Sequence, residues 1–350
     1  MQTKIIKVDP SFPEFHLIEE ASRSLKDGKL VAFPTETVYG LGANLYDDSA
    51  IAKLYKVKNR PKDKPFSVAI GSVELLSELG ISLSKKVKDM ANRFWPGPLT
   101  IIVLDKDNRK VGLRIPSNKI ALDLLRNVRI PISLPSANIS GEKEPVSAED
   151  VLAGLGDKID MVLDGGSTEI GLPSTVVDTT SDDHKIVREG AISKEELSAD
   201  HRVLFVCTGN SCRSVMAEYL MKKLIEESGL SKKIYIDSAG TMASNGMRAS
   251  QNTIEVLKEE GIDASGHMGR PVTPFLLRRS DIIFVMSNMH RNIVLTKLFN
   301  IAQKVRLLNE QKDISDPIGR PIEEYRKVRD EIKGQVEDIF LELFEKEIDT

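Results

Sequence analysis

Short apolar runs bounded by Gly, Pro, Asp and Asn alternate along the chain with stretches whose apolar residues recur every three or four positions. These are the signatures of strands and of amphipathic helices. In the first half the strand-like runs are LVAFP (30–34), FSVAI (66–70), LTIIVL (99–104), VGLRIP (111–116), PISLP (131–135), MVLDG (161–165), STVVD (174–178) and HKIVRE (184–189). Helical periodicity falls at about 14–27, 49–58, 72–79, 84–94, 118–126 and 147–155. More strands than helices predicts a twisted mixed α/β sheet. Residues 185–192 read as a strand and turn, 193–201 as a short polar helix or connector, and RVLFVC (202–207) as the start of a new strand. A boundary near Ala199 follows, giving domains 1–199 and 200–350. Downstream, strand-like runs at 234–237, 281–286 and 305–308 alternate with helical stretches at 214–228, 247–260 and 321–346. That alternation predicts a parallel sheet wrapped by helices.

Composition narrows the setting more than the fold. The 350 residues favour two domains, and 41% hydrophobic content suffices for two cores. A net charge of −3 excludes a general polyanion-binding coat, so any anion site is local. With two cysteines in one short segment, a disulfide framework is excluded. No cleavable leader and no bilayer-length apolar run is read, which leads to the expectation of a cytoplasmic protein with no membrane partner. Trp95, in FWPGPLT, is expected to anchor a turn in the core.

The segment VLFVCTGNSCRS (203–214) is the richest in chemistry. A strand delivers Cys207 to a loop, and Arg213 returns six positions later. A thiolate surrounded by backbone N–H groups at a helix N-terminus binds a phosphoryl group and is itself activated. A planar guanidinium matches equatorial phosphate oxygens, which lysine does not. Thr208, Gly209, Asn210, Ser211, Cys212 and Ser214 form the rest of the loop, with Asn210 and Ser214 expected to hold it and to hydrogen-bond the thiolate. Asp316, in SDPIG (315–319), is the candidate general acid; the plain alternative for Asp-Pro is a turn. For Cys212, a redox partner of Cys207 and a small loop filler both stand.

Three polar segments of the first half also look chemical: PTETVYGLGA (34–43), KVKNRPKDKP (56–65), and PSAN (135–138) joined by PSTVVD (173–178). Singly they read as a turn, a solvated basic face and loop entries. Together they suggest an electropositive pocket lined with hydroxyls, suited to a nucleoside triphosphate and a small polar co-substrate. No Gly-x4-Gly-Lys-Ser/Thr loop is present. The five histidines show no metal-ligand spacing with cysteines, so no protein metal site is expected.

Two resemblances rest on these residues. Residues 202–350 resemble the low-molecular-weight protein phosphatases through Cys207, Asn210, Cys212, Arg213 and Ser214, through Ser238-Ala239-Gly240, and through Asp316-Pro317. This implies a small parallel sheet of flavodoxin-like type and a phospho-cysteine mechanism. Residues 1 to about 197 resemble the threonylcarbamoyl-AMP synthases of YrdC-like fold through PTETVYGLGA, KNRP, FWPGPLT, GLRIP, PSAN, PSTVVD and VREGAI.

The second resemblance implies a positively charged groove where L-threonine, bicarbonate and ATP, with Mg2+, become threonylcarbamoyl-adenylate and pyrophosphate. It places Thr35 and Ser174 near threonine and Arg114 on its carboxylate, with Lys58, Arg60, Ser136, Asn138 and Arg188 on ATP. A separate transferase complex would carry the group to tRNA, and a tRNA contact is implied. Some archaeal relatives have a histidine where this chain has Ala69. The alternative for this half is a nucleotide- or RNA-binding module without synthase activity. In the phosphatase half, Asp-Pro is followed by Ile318 and Gly319, no aromatic residue occurs in 240–248, and Ser211 stands where protein-arginine phosphatases have threonine. Phosphoarginine is therefore the expected substrate, with phosphotyrosine as the alternative.

Overall fold

The computed structural model describes residues 2–348, and the chain divides into two compact units, Met1–Lys194 and Glu195–Thr350. The division lies upstream of the boundary expected near Ala199. The reason is the short helix Lys194–Ser198: its Glu196 is buried against Arg279, and Arg202 Nη2 donates to the Glu196 carbonyl at 2.6 Å.

The first unit is built on a ten-stranded sheet. Its strands are β1 (Lys4–Lys7), β2 (Val31–Pro34), β3 (Tyr39–Asn44), β4 (Val68–Ala69), β5 (Leu99–Leu104), β6 (Lys110–Arg114), β7 (Ile132–Ser133), β8 (Met161–Asp164), β9 (Thr175–Asp178) and β10 (Lys185–Arg188). Their spatial order is β1-β8-β2-β3-β7-β4-β6-β5-β9-β10, and parallel and antiparallel pairs are mixed, as the sequence pattern predicted. Side chains alternate across β2: Val31 and Phe33 join the core under the helices Phe15–Lys26 and Lys119–Val128, while Ala32 joins Leu41, Leu54 and Val151 on the other face. Trp95 is buried, with Nε1 donating to the Leu99 carbonyl at 2.7 Å.

β1 and β3 carry no strand signal in the sequence. β1 buries one residue of four. β3 contains Gly40 and Gly42 because a Cβ at either would stand 2.6 Å from Leu134 Cδ1 or 2.9 Å from Phe33 Cε1.

The second unit has a four-stranded sheet of β11 (His201–Cys207), β12 (Ile234–Gly240), β13 (Ile282–Val285) and β14 (Val305–Leu307), ordered β12-β11-β13-β14 and parallel throughout. Period-two alternation along β11 turns Val203, Phe205 and Cys207 toward the helices Arg213–Glu227 and Ile322–Ile348, and Leu204 and Val206 toward the other face. Cys207 therefore ends the central strand at its C-terminal edge, where ligands of parallel sheets bind. Two helices lacked a sequence signal, Pro274–Arg279 and Asn288–Lys297; the second buries only His290 and Val294, too little for an apolar stripe. Among the described residues no helix is long and apolar enough to cross a membrane.

Candidate active sites

The loop after β11 folds around its cysteine. Cys207 Sγ lies 3.0 Å from Ser214 Oγ, and the Asn210 backbone N–H points at the sulfur from 3.3 Å. Asn210 takes the left-handed conformation (φ 50°), and its buried side chain holds the loop closed. Its amide nitrogen donates to Ser214 Oγ (3.0 Å) and Ser238 Oγ (2.7 Å), while its oxygen accepts the Arg270 N–H (2.9 Å). Gly240 is the close approach that permits this, since a Cβ there would fall 2.6 Å from the Thr208 carbonyl oxygen. The helix Arg213–Glu227 begins at the far end of the loop, aiming its N-terminus at the same centre.

Arg213 is buried and held on three sides. Nη1 donates to the Ile314 carbonyl at 3.0 Å, and Nη2 reaches Thr208 Oγ1 at 3.3 Å and pairs with Asp316 Oδ2. The expected nucleophile, arginine and acid are thus brought together, with Asp316 the half-exposed member. Cys212 also lies buried, but its sulfur faces Ser250 Oγ (3.5 Å) and Tyr325 OH (3.8 Å); both cysteines are free. Ser211 is 8% exposed, and its hydroxyl has one polar neighbour among the described residues, Cys212 Sγ at 3.6 Å.

Two histidines of this site escaped the sequence reading. His267 Nε2 meets the Asn210 carbonyl at 3.0 Å while Nδ1 faces buried Glu218 at 3.8 Å. His290 sits behind Thr208, with Nε2 2.9 Å from Thr208 Oγ1 and Nδ1 2.7 Å from Ser287 Oγ. Burial, then the Arg213 cation, pushes the His290 imidazolium down to about 4 against the pull of Asp316 and Asp313. Neither histidine has a telling neighbour in sequence, so no spacing signal pointed to them.

In the first unit the expected residues gather by pairs. Lys58 ends the helix Asp48–Lys58, followed by Asn59 in the left-handed conformation (φ 47°). It is no solvated helix end: only 2% exposed, Lys58 donates from Nζ to the Ser136 carbonyl (2.6 Å) and to Asn138 Oδ1 (3.0 Å). Burial chiefly, and the Arg60 cation less, lowers its ammonium to about 8 against the attraction of Glu144. Asn138 Oδ1 also accepts from Ser136 Oγ (2.7 Å), and Nδ2 donates to the carbonyls of Glu142 (2.7 Å) and Lys143 (3.2 Å). Its hydrogen-bonding capacity is spent within the protein, so Asn138 positions Lys58. Arg60 lies on Phe66 (5.2 Å to the ring centroid) and donates to the carbonyls of Lys64 and Pro65.

Ser174 and Arg188 form a second pair. Arg188 donates from Nη2 to the Ser174 carbonyl (2.8 Å) and Oγ (3.1 Å), and Ser174 Oγ meets Thr100 Oγ1 at 2.8 Å. Gly190 lets the VREG turn close on this strand, since a Cβ there would be 2.2 Å from the Pro173 oxygen. Burial lowers the Arg188 guanidinium most, and Arg114 and Arg60 lower it further against Glu144, so these charges share one field. Thr35 is buried and turned inward, its hydroxyl donating to the Val38 carbonyl at 2.6 Å. Arg114 is bound by a residue that the sequence reading did not assign to the site, Glu36. Glu144 Oε2 is buried without a hydrogen-bond partner.

Residues 23–190 match the Sua5/YciO/YrdC profile, described as "Telomere recombination", and residues 202–349 that of the low molecular weight phosphotyrosine protein phosphatases. The chain is 41% identical over 204 residues to a threonylcarbamoyl-AMP synthase of Pyrococcus abyssi, a match covering 56% of this chain and 60% of that protein. A putative threonylcarbamoyl-AMP synthase of Mycobacterium tuberculosis is 37% identical over 52% of this chain and 87% of its own length. The protein-arginine-phosphatase of Bacillus subtilis is 36% identical over 37% of this chain and 89% of its own length. The crystal structure of P. abyssi Sua5 complexed with L-threonine is similar at a TM-score of 0.54 and 26% identity, covering 95% of this chain and 98% of that one. The chain spans about three-fifths of the length of the Pyrococcus synthase. Through its first unit the chain belongs to the Sua5/YciO/YrdC family, and through its second to the low molecular weight phosphotyrosine protein phosphatases.

Proposed function

We propose that the chain is a bifunctional enzyme: the first unit makes threonylcarbamoyl-AMP and pyrophosphate from L-threonine, bicarbonate and ATP, and the second dephosphorylates protein phosphoarginine. For the synthase, the carrying observation is the burial of Lys58 on Ser136 and Asn138. An ammonium has three donors; two are occupied here, and the third is left for a phosphate oxygen. The threonine amine condenses with bicarbonate, losing water, and an oxygen of the resulting carbamate attacks the α-phosphorus as the bond to the β-phosphate breaks and pyrophosphate leaves. Lys58, Arg60 and Arg188 then neutralise phosphate charge, and catalysis is positioning plus electrostatics. Arg114 Nη1, the guanidinium nitrogen not engaged by Gly97, Thr37 or Glu36, takes the threonine carboxylate beside Thr35 and Ser174. Mg2+ would come with the ATP and would supply charge neutralisation on the triphosphate. Glu144 Oε2, buried without a hydrogen-bond partner, would be a carboxylate oxygen suited to meet it. The product is labile, so a separate transferase delivers the group to tRNA.

For the phosphatase, the carrying observation is Cys207 within reach of Ser214 Oγ and the Asn210 N–H, with Arg213 tied to Asp316. Cys207 sulfur attacks phosphorus and the P–N bond breaks. Asp316 protonates the departing guanidine, then takes a proton from the water that cleaves the phospho-cysteine. The relative of that name and the absence of aromatic side chains from 240–248 favour phosphoarginine over phosphotyrosine. The test is a panel on the whole chain: pyrophosphate release from ATP with and without threonine and bicarbonate, and phosphate release from phosphoarginine and phosphotyrosine peptides. ATP turnover indifferent to threonine would sink the synthase, leaving a nucleotide- or RNA-binding module.

A further inference from the structure

The proposed chemistry leaves a gap at Arg213. Asp316 is bound to Arg213 Nη2, yet an acid that protonates a leaving group must turn away from the guanidinium and toward the substrate. Arg213 would then keep the Ile314 carbonyl on Nη1 and, on Nη2, only the Thr208 hydroxyl at 3.3 Å. A threonine hydroxyl rotates, and nothing in the loop backbone fixes its lone pairs toward Arg213.

What fixes them lies on another element. His290 is wholly buried in the helix Asn288–Lys297, whose N-cap is Ser287. Its ring stands between two hydroxyls, Ser287 Oγ on Nδ1 at 2.7 Å and Thr208 Oγ1 on Nε2 at 2.9 Å. A ring held at both nitrogens has one orientation, and it imposes one rotor on Thr208. Beside the Arg213 cation, an uncharged ring is the form that fits, since a second buried positive charge would repel the guanidinium. Carried by the phosphatase reading, we infer that His290 is a positioning residue: it fixes the Thr208 hydroxyl so that Thr208 and Ile314 hold Arg213 in the cradle after Asp316 leaves it.

The full chain tests this with His290→Gln, His290→Ala, Thr208→Val and the double variant His290→Ala/Thr208→Val, assayed on a phosphoarginine peptide and for orthovanadate inhibition. Glutamine reaches Thr208 with a neutral amide, so His290→Gln should keep most activity. His290→Ala and Thr208→Val should each lower kcat and vanadate affinity roughly 3- to 10-fold, the size of one lost hydrogen bond, with KM little changed. The double variant should be no worse than either single one, because both break one chain of contacts. Thermal melts run in parallel separate this from general loosening: equal melting with lowered kcat supports the role. Additive losses, losses confined to KM, or a kcat that falls only as far as the melt falls would overturn it. A wild-type chain that cleaves neither phosphoarginine nor phosphotyrosine would instead remove the phosphatase reading itself.

Discussion

Arg114 Nη2 and Glu36 Oε1 form an ion pair 2.9 Å apart, with side chains 11% and 2% exposed. Glu36 Oε2 also accepts the Ser117 N–H at 3.0 Å, and Arg114 reaches Thr37 and Gly97. A carboxylate of the protein thus holds the arginine expected to bind the carboxylate of threonine, so threonine would share Arg114 with Glu36. Arg114→Ala should abolish threonine-dependent pyrophosphate release. It should also lower the stability of the first unit by about 3–5 kcal/mol, since Glu36 would be left buried and unpaired. Adding Glu36→Gln should restore stability and not turnover. Trp95, the only tryptophan, reports denaturation of this unit by its fluorescence. Equal stability of both variants would contradict the pairing.

Lys58 gives a pH signature. Its ammonium is lowered to about 8 from an ordinary 10.5. The folded state resists the charge, so the penalty is full below about pH 8 and is relieved as pH rises from there toward 10.5. Phosphate oxygens reverse that by stabilising the cation. ATP binding near pH 8 should therefore take up a proton, seen by calorimetry as a heat that varies with the buffer's ionisation enthalpy. Lys58→Arg, charged throughout, should remove the variation. Lys58→Ala or Arg60→Ala should end pyrophosphate release and leave the phosphatase untouched.

Sheet class and the two parallel or mixed architectures were legible because every strand-like run named in the sequence does carry a strand, if often a shorter one. FSVAI contributes only Val68–Ala69, and PISLP only Ile132–Ser133. What stayed hidden has local causes. β3 is written with glycines because neighbours crowd its face, and a glycine-rich strand looks like a loop. The site residues with motif spacing, such as Cys207, Arg213 and Lys58, were legible as chemistry. Their supports were not: Glu36 lies inside a motif whose hydroxyls drew attention, and His267 and His290 reach the loop across 57 and 82 residues of sequence. Burial also changed the meaning of Lys58, whose segment taken singly reads as a solvated basic face, and of Asn138, whose segment taken singly reads as a loop entry.

Asp316 and Cys207 make separable predictions. Cys207→Ser should eliminate turnover while retaining phosphate, because the Asn210 N–H and Arg213 remain. Asp316→Asn removes the transferable proton and should slow turnover of a poor leaving group by roughly 10²–10⁴-fold. The same change frees Arg213 from its carboxylate, so phosphate should bind the Asn variant at least as tightly as the wild type. Rapid-quench capture of a phospho-cysteine in the wild type is the direct check, and an active Cys207→Ala chain would refute the mechanism.

On the proposed phosphoarginine activity, specificity is expected to turn on Ser211. Every other hydroxyl of the loop is engaged by oxygen or nitrogen partners: Thr208 by His290 and Arg213, Ser214 by Asn210. Ser211 Oγ meets only the weakly bonding Cys212 sulfur at 3.6 Å, which leaves its hydroxyl for the substrate. A guanidinium nitrogen beside phosphorus offers an N–H there, and a phenolic oxygen does not. The chain should therefore cleave a phosphoarginine peptide with higher kcat/KM than the matching phosphotyrosine peptide. Ser211→Ile removes the hydroxyl and narrows the pocket with an apolar wall, so the ratio should move toward phosphotyrosine by about 5- to 150-fold, the value of ~1–3 kcal/mol for a used polar contact. Ser211→Thr keeps the hydroxyl and should hold or sharpen the preference. A wild-type chain that prefers phosphotyrosine, with Ser211→Ile unchanged, would make the second unit a tyrosine phosphatase.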